Sequence, residues 1–465
     1  MRKIIYLFVL VGVLWSCDKD EYLDIKPYGV IVPDAVEDFR LLMDSRNGNV
    51  YGGSGGWVNI YDIDRAMTDD IKILDGMYED YQNTNGRKYY DAIVWAENFG
   101  NDNEVDDIWL YIYNHIQQSH LYIEKLEDPD TDGSEADKQQ LIAELKVHRA
   151  FAYFAAVNLY SKQYDAATAA SDLGVPIRTS SVMSEQTPRE SVQAVYDHII
   201  QDLNEALASN ALESTFPEKN WQATQAGAYA VQAKVYLQMG NYEAALTAAN
   251  NCLALKSNLI DYNTLGSMPP NYLNEEMIFL KDHGGSSMWT DYYVSDELLA
   301  MYDAEDIRPN VRFSSDWRTG ETIFEEGSYG NELSYIGPSV GEMYLISAEC
   351  EARVGSFENA IDHLNTLRVN RYTTGNYVVL TTTDLPDAAT TLAFVKDERR
   401  RELADKGVRL FDLKRYNALD NANITLTRVI NGEVAATLEP NNNRWIVPIA
   451  RYTITKAPEI EQSPR

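Results

Sequence analysis

From about residue 104 the apolar positions recur every three or four residues. Ile108, Tyr111, Ile112, His115 and Ile116 lead into the apolar run 121–126, the spacing of one buried helix face. Leu141, Leu145, His148, Phe151, Tyr153, Phe154, Val157, Leu159 and Tyr160 continue the period on a long second helix. A stretch holding Pro and Ser follows over 174–188. Thr187 and Glu190 then stand three apart with Pro188 between them. That arrangement predicts a capping box ahead of a helix over 191–208, with Val195, Ile199, Leu203 and Leu207 on one face. Residues 18–60 mix Pro, Gly and short apolar pieces and carry no sustained period.

Two later segments repeat each other. Ala233, Gly240, Tyr242 and Ala245 have the same offsets as Ala348, Gly355, Phe357 and Ala360. An Ala lies seven residues before a Gly, an aromatic two after it and a second Ala five after it. This is the tetratricopeptide (TPR) pattern, in which small residues let paired helices approach and Gly ends the first of them. Long connections separate the copies, so the chain is no uniform solenoid. The stretch 257–338 is rich in Gly, Pro, Asn, Tyr and Trp and reads as an irregular lobe over a helical scaffold that lies chiefly in 104–256 and 339–418. Sites are expected in that lobe, because loops carry function where helices carry packing.

The first residues read as an address. Met1-Arg2-Lys3 precedes an apolar run over 4–15, then Ser16-Cys17. The run is too short to span a bilayer and has the form of a signal-peptide core. A cysteine directly after a small residue predicts cleavage after residue 16 and lipidation of Cys17, leaving 17–465 as one domain. Asp18-Lys19-Asp20-Glu21 sets charge beside that anchor, and no other stretch has the length of a transmembrane helix.

Charge narrows the partners. With 40 Lys+Arg against 71 Asp+Glu, the net charge is −31, which weighs against nucleic acid or anionic headgroups, since both need basic patches. Neutral ligands such as sugars stay open. The 31 Tyr, 12 Phe and 8 Trp argue for a folded body despite the charge. Three cysteines exclude a disulfide scaffold.

The ordered motifs carry a resemblance. Glu398-Arg399-Arg400-Arg401-Glu402-Leu403 is followed by Gly407-Val408-Arg409-Leu410-Phe411-Asp412-Leu413-Lys414-Arg415-Tyr416. Together with His148-Arg149-Ala150-Phe151, Leu173-Gly174-Val175-Pro176, Met343-Tyr344-Leu345 and Trp445-Ile446-Val447-Pro448-Ile449, this set resembles the SusD/RagB family of outer-membrane nutrient-binding lipoproteins. Two departures stand out: the chain stops at Arg465 without a longer Asn-Pro-rich tail, and His148 replaces a smaller residue or Leu. The resemblance implies a mainly α protein with about four TPR-like helix pairs and a ligand-facing lobe. It implies a lipid-anchored surface protein that captures oligosaccharides and hands them to a SusC-like, TonB-dependent barrel transporter. Peptide capture, or a TPR-type scaffold with no nutrient ligand, are the alternatives. The Arg399-Arg400-Arg401 cluster reads as structural, bonding helix-end carbonyls and carboxylates.

Candidate chemistry is sparse. Gly52-Gly53-Ser54-Gly55-Gly56 matches a nucleophile-elbow string but lacks the strand-to-helix flanks that chemistry needs, so it reads as a flexible loop, and no enzyme activity is expected. Asp128, Asp130 and Asp132, followed by Gly133, match the start of a calcium loop. Position 12 is Gln139 where a bidentate Glu would stand, so calcium is the one cofactor considered. The six His show no metal-ligand spacing. Cys252 and Cys350 fall in helices as buried thiols. Sugars present apolar C–H faces to aromatic rings and hydroxyls to polar groups. The ligand-binding candidates are therefore the loop aromatics Trp57, Tyr78, Tyr81, Trp289, Tyr292, Tyr293 and Trp317, while Trp95 and Trp109 read as core.

Overall fold

A computed structural model of the protein describes residues 33–44, 58–76, 78, 87–182, 186–215, 219–281, 293–325 and 336–465. Fifteen α-helices and four two-stranded antiparallel sheets lie among these residues. The first three helices are α1 (Val36–Asp44), α2 (Val58–Met67) and α3 (Arg87–Ile93). Helices α4 (Asp107–Leu126) and α5 (Glu135–Tyr160) follow, capped by Asp106, which accepts from Trp109 N at 3.0 Å, and by Ser134, which accepts from Asp137 N at 3.1 Å. From Leu141 to Tyr160 every residue of α5 except Lys146 is buried. The periodic pattern marked one face, but α5 is the central helix, enclosed all round.

Helices α6 (Val192–Ala208), α7 (Gln225–Gln238) and α8 (Tyr242–Leu255) continue the stack, then α9 (Asp296–Leu299) and α10 (Arg308–Arg312) lie in the lobe. Helices α11 (Val340–Val354), α12 (Phe357–Arg368), α13 (Ala388–Leu403), α14 (Arg409–Asp420) and α15 (Arg451–Lys456) complete the set. Packing runs α4 to α5, α5 to α6, α6 to α7, α7 to α8, α8 to α11, and from α11 to both α12 and α13. The architecture is a TPR-like helical scaffold.

The two sequence repeats form the pairs α7/α8 and α11/α12. Ala233, Ala245, Ala348 and Ala360 are all fully buried where the paired helices meet, and Asn241 and Ser356 cap the second helix of each pair. Their glycines serve different ends. Gly240 takes a left-handed backbone, φ +73°, the usual conformation after a helix end. Gly355 has a negative φ, and a Cβ there would lie 2.0 Å from the Glu351 carboxylate.

The strands are β1 (Ile71–Lys72), β2 (Leu173–Pro176), β3 (Arg189–Ser191), β4 (Tyr293–Val294), β5 (Phe313–Ser315), β6 (Thr322–Phe324), β7 (Leu426–Ile430) and β8 (Glu433–Leu438). They pair β1–β4, β2–β3, β5–β6 and β7–β8. The β2–β3 pair corrects one expectation. Thr187 and Glu190 form no capping box; Ser191 caps α6, accepting from Ala194 N at 3.1 Å. The reason is Arg189, a strand residue whose buried guanidinium donates to the carbonyls of Tyr160, Gly174 and Glu461.

Beneath the helices lies a buried network of arginines and carboxylates. Arg308 meets Asp306, Glu398 and Glu402 at 2.6, 2.8 and 2.9 Å. Arg371 bridges Glu276 at 2.8 Å and Glu402 at 2.9 Å. Arg399 joins Asp412 and Glu342, and Arg415 joins Asp412 and Glu349. Arg400 and Arg409 reach back to Asp70 and Asp69, and Arg65 binds Asp405. Asp64 caps α14 from a distance, accepting from Leu410 N at 2.8 Å. Burial pushes its carboxyl up to about 8. The arginines hold Glu398 and Glu349 well below the usual carboxylate range and Asp69 near 2.

Two buried lysines also matter to the frame. Lys281 Nζ lies 2.6 Å from His148 Nδ1 and 4.0 Å from the Phe279 ring centre, and burial lowers both titrating groups. Lys414 donates to the Asn158 and Ser161 carbonyls at the end of α5, the favourable end for a cation.

Replacing Arg308 by Met leaves three buried carboxylates facing one another, and the expected loss is about 3–5 kcal/mol in urea unfolding at neutral pH. Acid should act in the same direction. Glu398 and Glu349 have folded values below the unfolded 4.5 and Asp69 below 3.8. Their stabilisation is complete above those unfolded values and is lost as pH falls through the folded ones. Melting temperature measured from pH 5 to about pH 2 should therefore drop steeply, and less steeply in Glu349→Gln.

Candidate functional site

The most solvent-facing large ring among the described residues stands on the β5–β6 hairpin. Phe313 pairs with Phe324, Ser314 with Ile323 and Ser315 with Thr322. The turn between them is closed by hydrogen bonds: Asp316 N donates to Glu321 O at 2.8 Å and Gly320 N to Asp316 O at 2.7 Å. Gly320 has φ +78° there, a conformation glycine adopts at no steric cost. Arg318 folds over Asp316, donating through Nη2 at 2.8 Å, and holds that carboxyl below its usual range. Between them Trp317 is 81% exposed.

The hairpin is rooted in the core. Phe313 packs edge-on against Phe324 at 5.5 Å and against Tyr302 at 5.6 Å. Arg65 sits over the Phe324 ring at 5.4 Å. An exposed indole on a rigid, hydrogen-bonded turn is a preformed stacking surface. Its neighbourhood is polar and charged: Lys72 bonds Asp296 and Glu321, each at 2.7 Å, tying β1 to α9 and to the hairpin.

Tyr293 and Trp317 belong to one unit, in different roles. Tyr293 lies on β4 opposite Lys72 and is fully buried. Its hydroxyl donates to Asp316 Oδ2 at 2.9 Å. The expectation that Tyr293 offers its ring to a ligand is corrected: burial removes the face, and the residue positions the turn that carries Trp317. Tyr78 is half-buried and stacks on Tyr90, ring centres 3.8 Å apart, with Arg87 over Tyr90. Arg312, near Trp317 in sequence, is buried and donates to the carbonyls of Glu402 and Ala404.

Other candidates divide. Trp57, Tyr81, Trp289, Tyr292, Cys17 and the 52–56 glycine string lie outside the described residues. Trp95 and Trp109 are buried. Asp128, Asp130 and Asp132 form a turn in which Asp130 N donates to Asp128 Oδ1 at 3.0 Å and the Asp132 backbone bridges Ala35. No group of three or more His, Cys, Asp or Glu among the described residues could hold a metal ion. In the turn Asp130 and Asp132 face solvent. His120 meets the Arg149–Asp202 pair. Cys252 and Cys350 are buried free thiols, and burial pushes Cys252 up to about 12.

Arg318 and Lys72 were missed from sequence, and Asp316 stood out there only as a neighbour of Trp317. The available signal was the string 312–324, where Asp-Trp-Arg-Thr-Gly separates two short runs with Phe at their outer ends, a readable hairpin.

Residues 21–237 match a family described as "Starch-binding associating with outer membrane", and residues 340–465 match the "SusD family". SusD-like protein P38 of Formosa agariphila is 24% identical over 388 residues, spanning 66% of this chain and 72% of that one. A SusD superfamily protein from Bacteroides thetaiotaomicron superposes with a TM-score of 0.73 at 21% identity, covering 93% of this chain and 100% of the other. A putative sugar binding protein from Bacteroides vulgatus gives 0.69 at 20% identity over 92% and 97%. A laminarin binding SusD-like protein gives 0.64 at 20% over 93% and 100%. The structural likenesses establish the shared fold.

Exposure separates the hairpin's two roles. Trp317→Ala should leave urea stability within about 0.5 kcal/mol of the parent. Asp316→Ala removes the acceptor for Tyr293 and Arg318 and should cost about 1–3 kcal/mol in the same measurement.

Proposed function

Because the chain belongs to the SusD/RagB family, we propose that it captures neutral glycans at the cell surface and delivers them to a SusC-like, TonB-dependent barrel transporter. The observation that carries this reading is Trp317, a flat apolar ring held in solvent beside Lys72, Arg318 and Glu321. The ring stacks on the C–H face of a sugar and the polar groups meet its hydroxyls. Recognition is non-covalent, using a surface already in place, so little ordering entropy is lost on binding. The net charge of −31 suits a neutral ligand.

In this reading residues 1–16 are removed as a signal peptide, and Cys17 carries the lipid that tethers residues 17–465 to the outer membrane. No described helix is long and apolar enough to cross a membrane. The laminarin ligand of one structural relative makes β-glucans a first choice for screening.

Calorimetry and affinity electrophoresis against a polysaccharide panel that includes laminarin test the proposal. Binding by the parent, weakened about ten-fold or more in Trp317→Ala (about 1.4 kcal/mol), is the expected result. Binding of peptides with no glycan retarded defeats it. Cys17→Ala should lose incorporation of an alkyne-labelled fatty acid in cells, and the parent should co-purify with a β-barrel partner.

A further inference from the structure

A second feature suited to a small ligand lies on the helical scaffold, away from the hairpin. An open cleft of about 260 Å³ forms where the segment 162–172 that follows α5, helix α14 and the segment 440–446 converge. None of its lining residues belongs to β1, β4, β5 or β6. The volume is just below the ~300–1,000 Å³ of drug-sized ligand sites, a scale that suits one sugar ring.

Its chemistry is specific. Lys414 lines the cleft and is 4% exposed. Two of its ammonium N–H groups donate to the Asn158 and Ser161 carbonyls, and the third has no acceptor among the described residues. An unmet buried donor is costly, and a ligand oxygen entering the cleft would satisfy it. Trp445 forms an apolar part of the wall, because its indole N–H is already committed to the Glu439 carbonyl at 2.8 Å. Asn441 and Asn443 bring side-chain amides, each able to donate and accept, that make no hydrogen bond to described residues. Asp165 adds an acceptor; one of its oxygens takes the Ala167 N–H at 2.9 Å.

Charge selects among ligands. Lys162 and Asp172 pair with each other at 2.8 Å, and burial with no carboxylate partner among the described residues lowers Lys414 to about 7. An anion would meet two carboxylates, and a cation would meet the buried ammonium. A neutral ring bearing several hydroxyls meets neither penalty. We propose that this cleft is a second binding site, taking a single neutral sugar ring, either free or at the end of a chain. The site is separate from Trp317 and does not depend on that residue's role.

The test uses the full chain carrying Trp317→Ala, so that the hairpin is silent. Glucose, mannose, galactose and xylose are titrated at millimolar concentrations by calorimetry and by saturation-transfer NMR. Ala418 is exposed and lines the cleft, so Ala418→Trp fills it without removing any hydrogen bond. The expected result is that at least one sugar binds the Trp317→Ala protein. Its Kd should rise about ten-fold or more when Ala418→Trp is added, and several-fold with Asn441→Ala plus Asn443→Ala. Absence of binding by all four sugars, or an unchanged Kd in Ala418→Trp, overturns the proposal. Failure of the hairpin reading shows separately, as unaltered polysaccharide affinity in Trp317→Ala alone.

Discussion

Everything in this fold leans on the burial of charge around α13 and α14. Removing ions from water costs several kcal/mol each, and the cost is offset only when each charge meets partners in good geometry. Here the condition is satisfied by sharing. Glu402 serves both Arg308 and Arg371, Asp412 serves Arg399 and Arg415, and Glu398 serves Arg308, Arg368 and Arg401. Because each of these three carboxylates has more than one guanidinium, a shift in one arginine disturbs the partner of another. Elements remote in sequence are thereby held to one arrangement: α11, α12, the lobe around α10 and the segment after α2.

The hairpin that presents Trp317 inherits its rigidity from that network. Tyr302 donates to the Arg401 carbonyl and lies beneath Arg308, and Phe313 packs on Tyr302. On the other side, Arg65 binds Asp405 and covers Phe324. Both strands of the hairpin thus rest on residues whose places are fixed by ion pairs. A stacking surface exposed to solvent needs such a base, since nothing packs over the indole itself to hold it.

How much of this was legible in the sequence depended on the kind of interaction. Helices with apolar periodicity were readable, as were the TPR-like pairs, where Ala and Gly offsets encode close approach. The signature 398–403 was recognisable as a motif, yet its burial was invisible to periodicity: five of its six residues are charged, and all five are buried arginines or glutamates of α13. Long-range pairing explains the other misses. Thr187 and Glu190 satisfied a local capping rule, but Arg189 has partners up to 274 residues away, and the strand they impose overrides the local preference. Trp317 could be picked from sequence as a loop aromatic, and it is exposed, whereas the burial of Tyr293 depends on pairing with β1, over two hundred residues earlier. His148 meets Lys281, also distant in sequence, at 2.6 Å.

The Asp64–Leu410 hydrogen bond spans 346 residues, and Asp69 and Asp70 wait on Arg400 and Arg409 across a similar interval. During synthesis those early aspartates are made long before the arginines that neutralise them. A nascent chain that has not reached residue 409 cannot bury the segment 62–70 without stranding its charge. The order of contacts therefore delays final closure until most of the chain exists, as expected when native pairings are far apart in sequence.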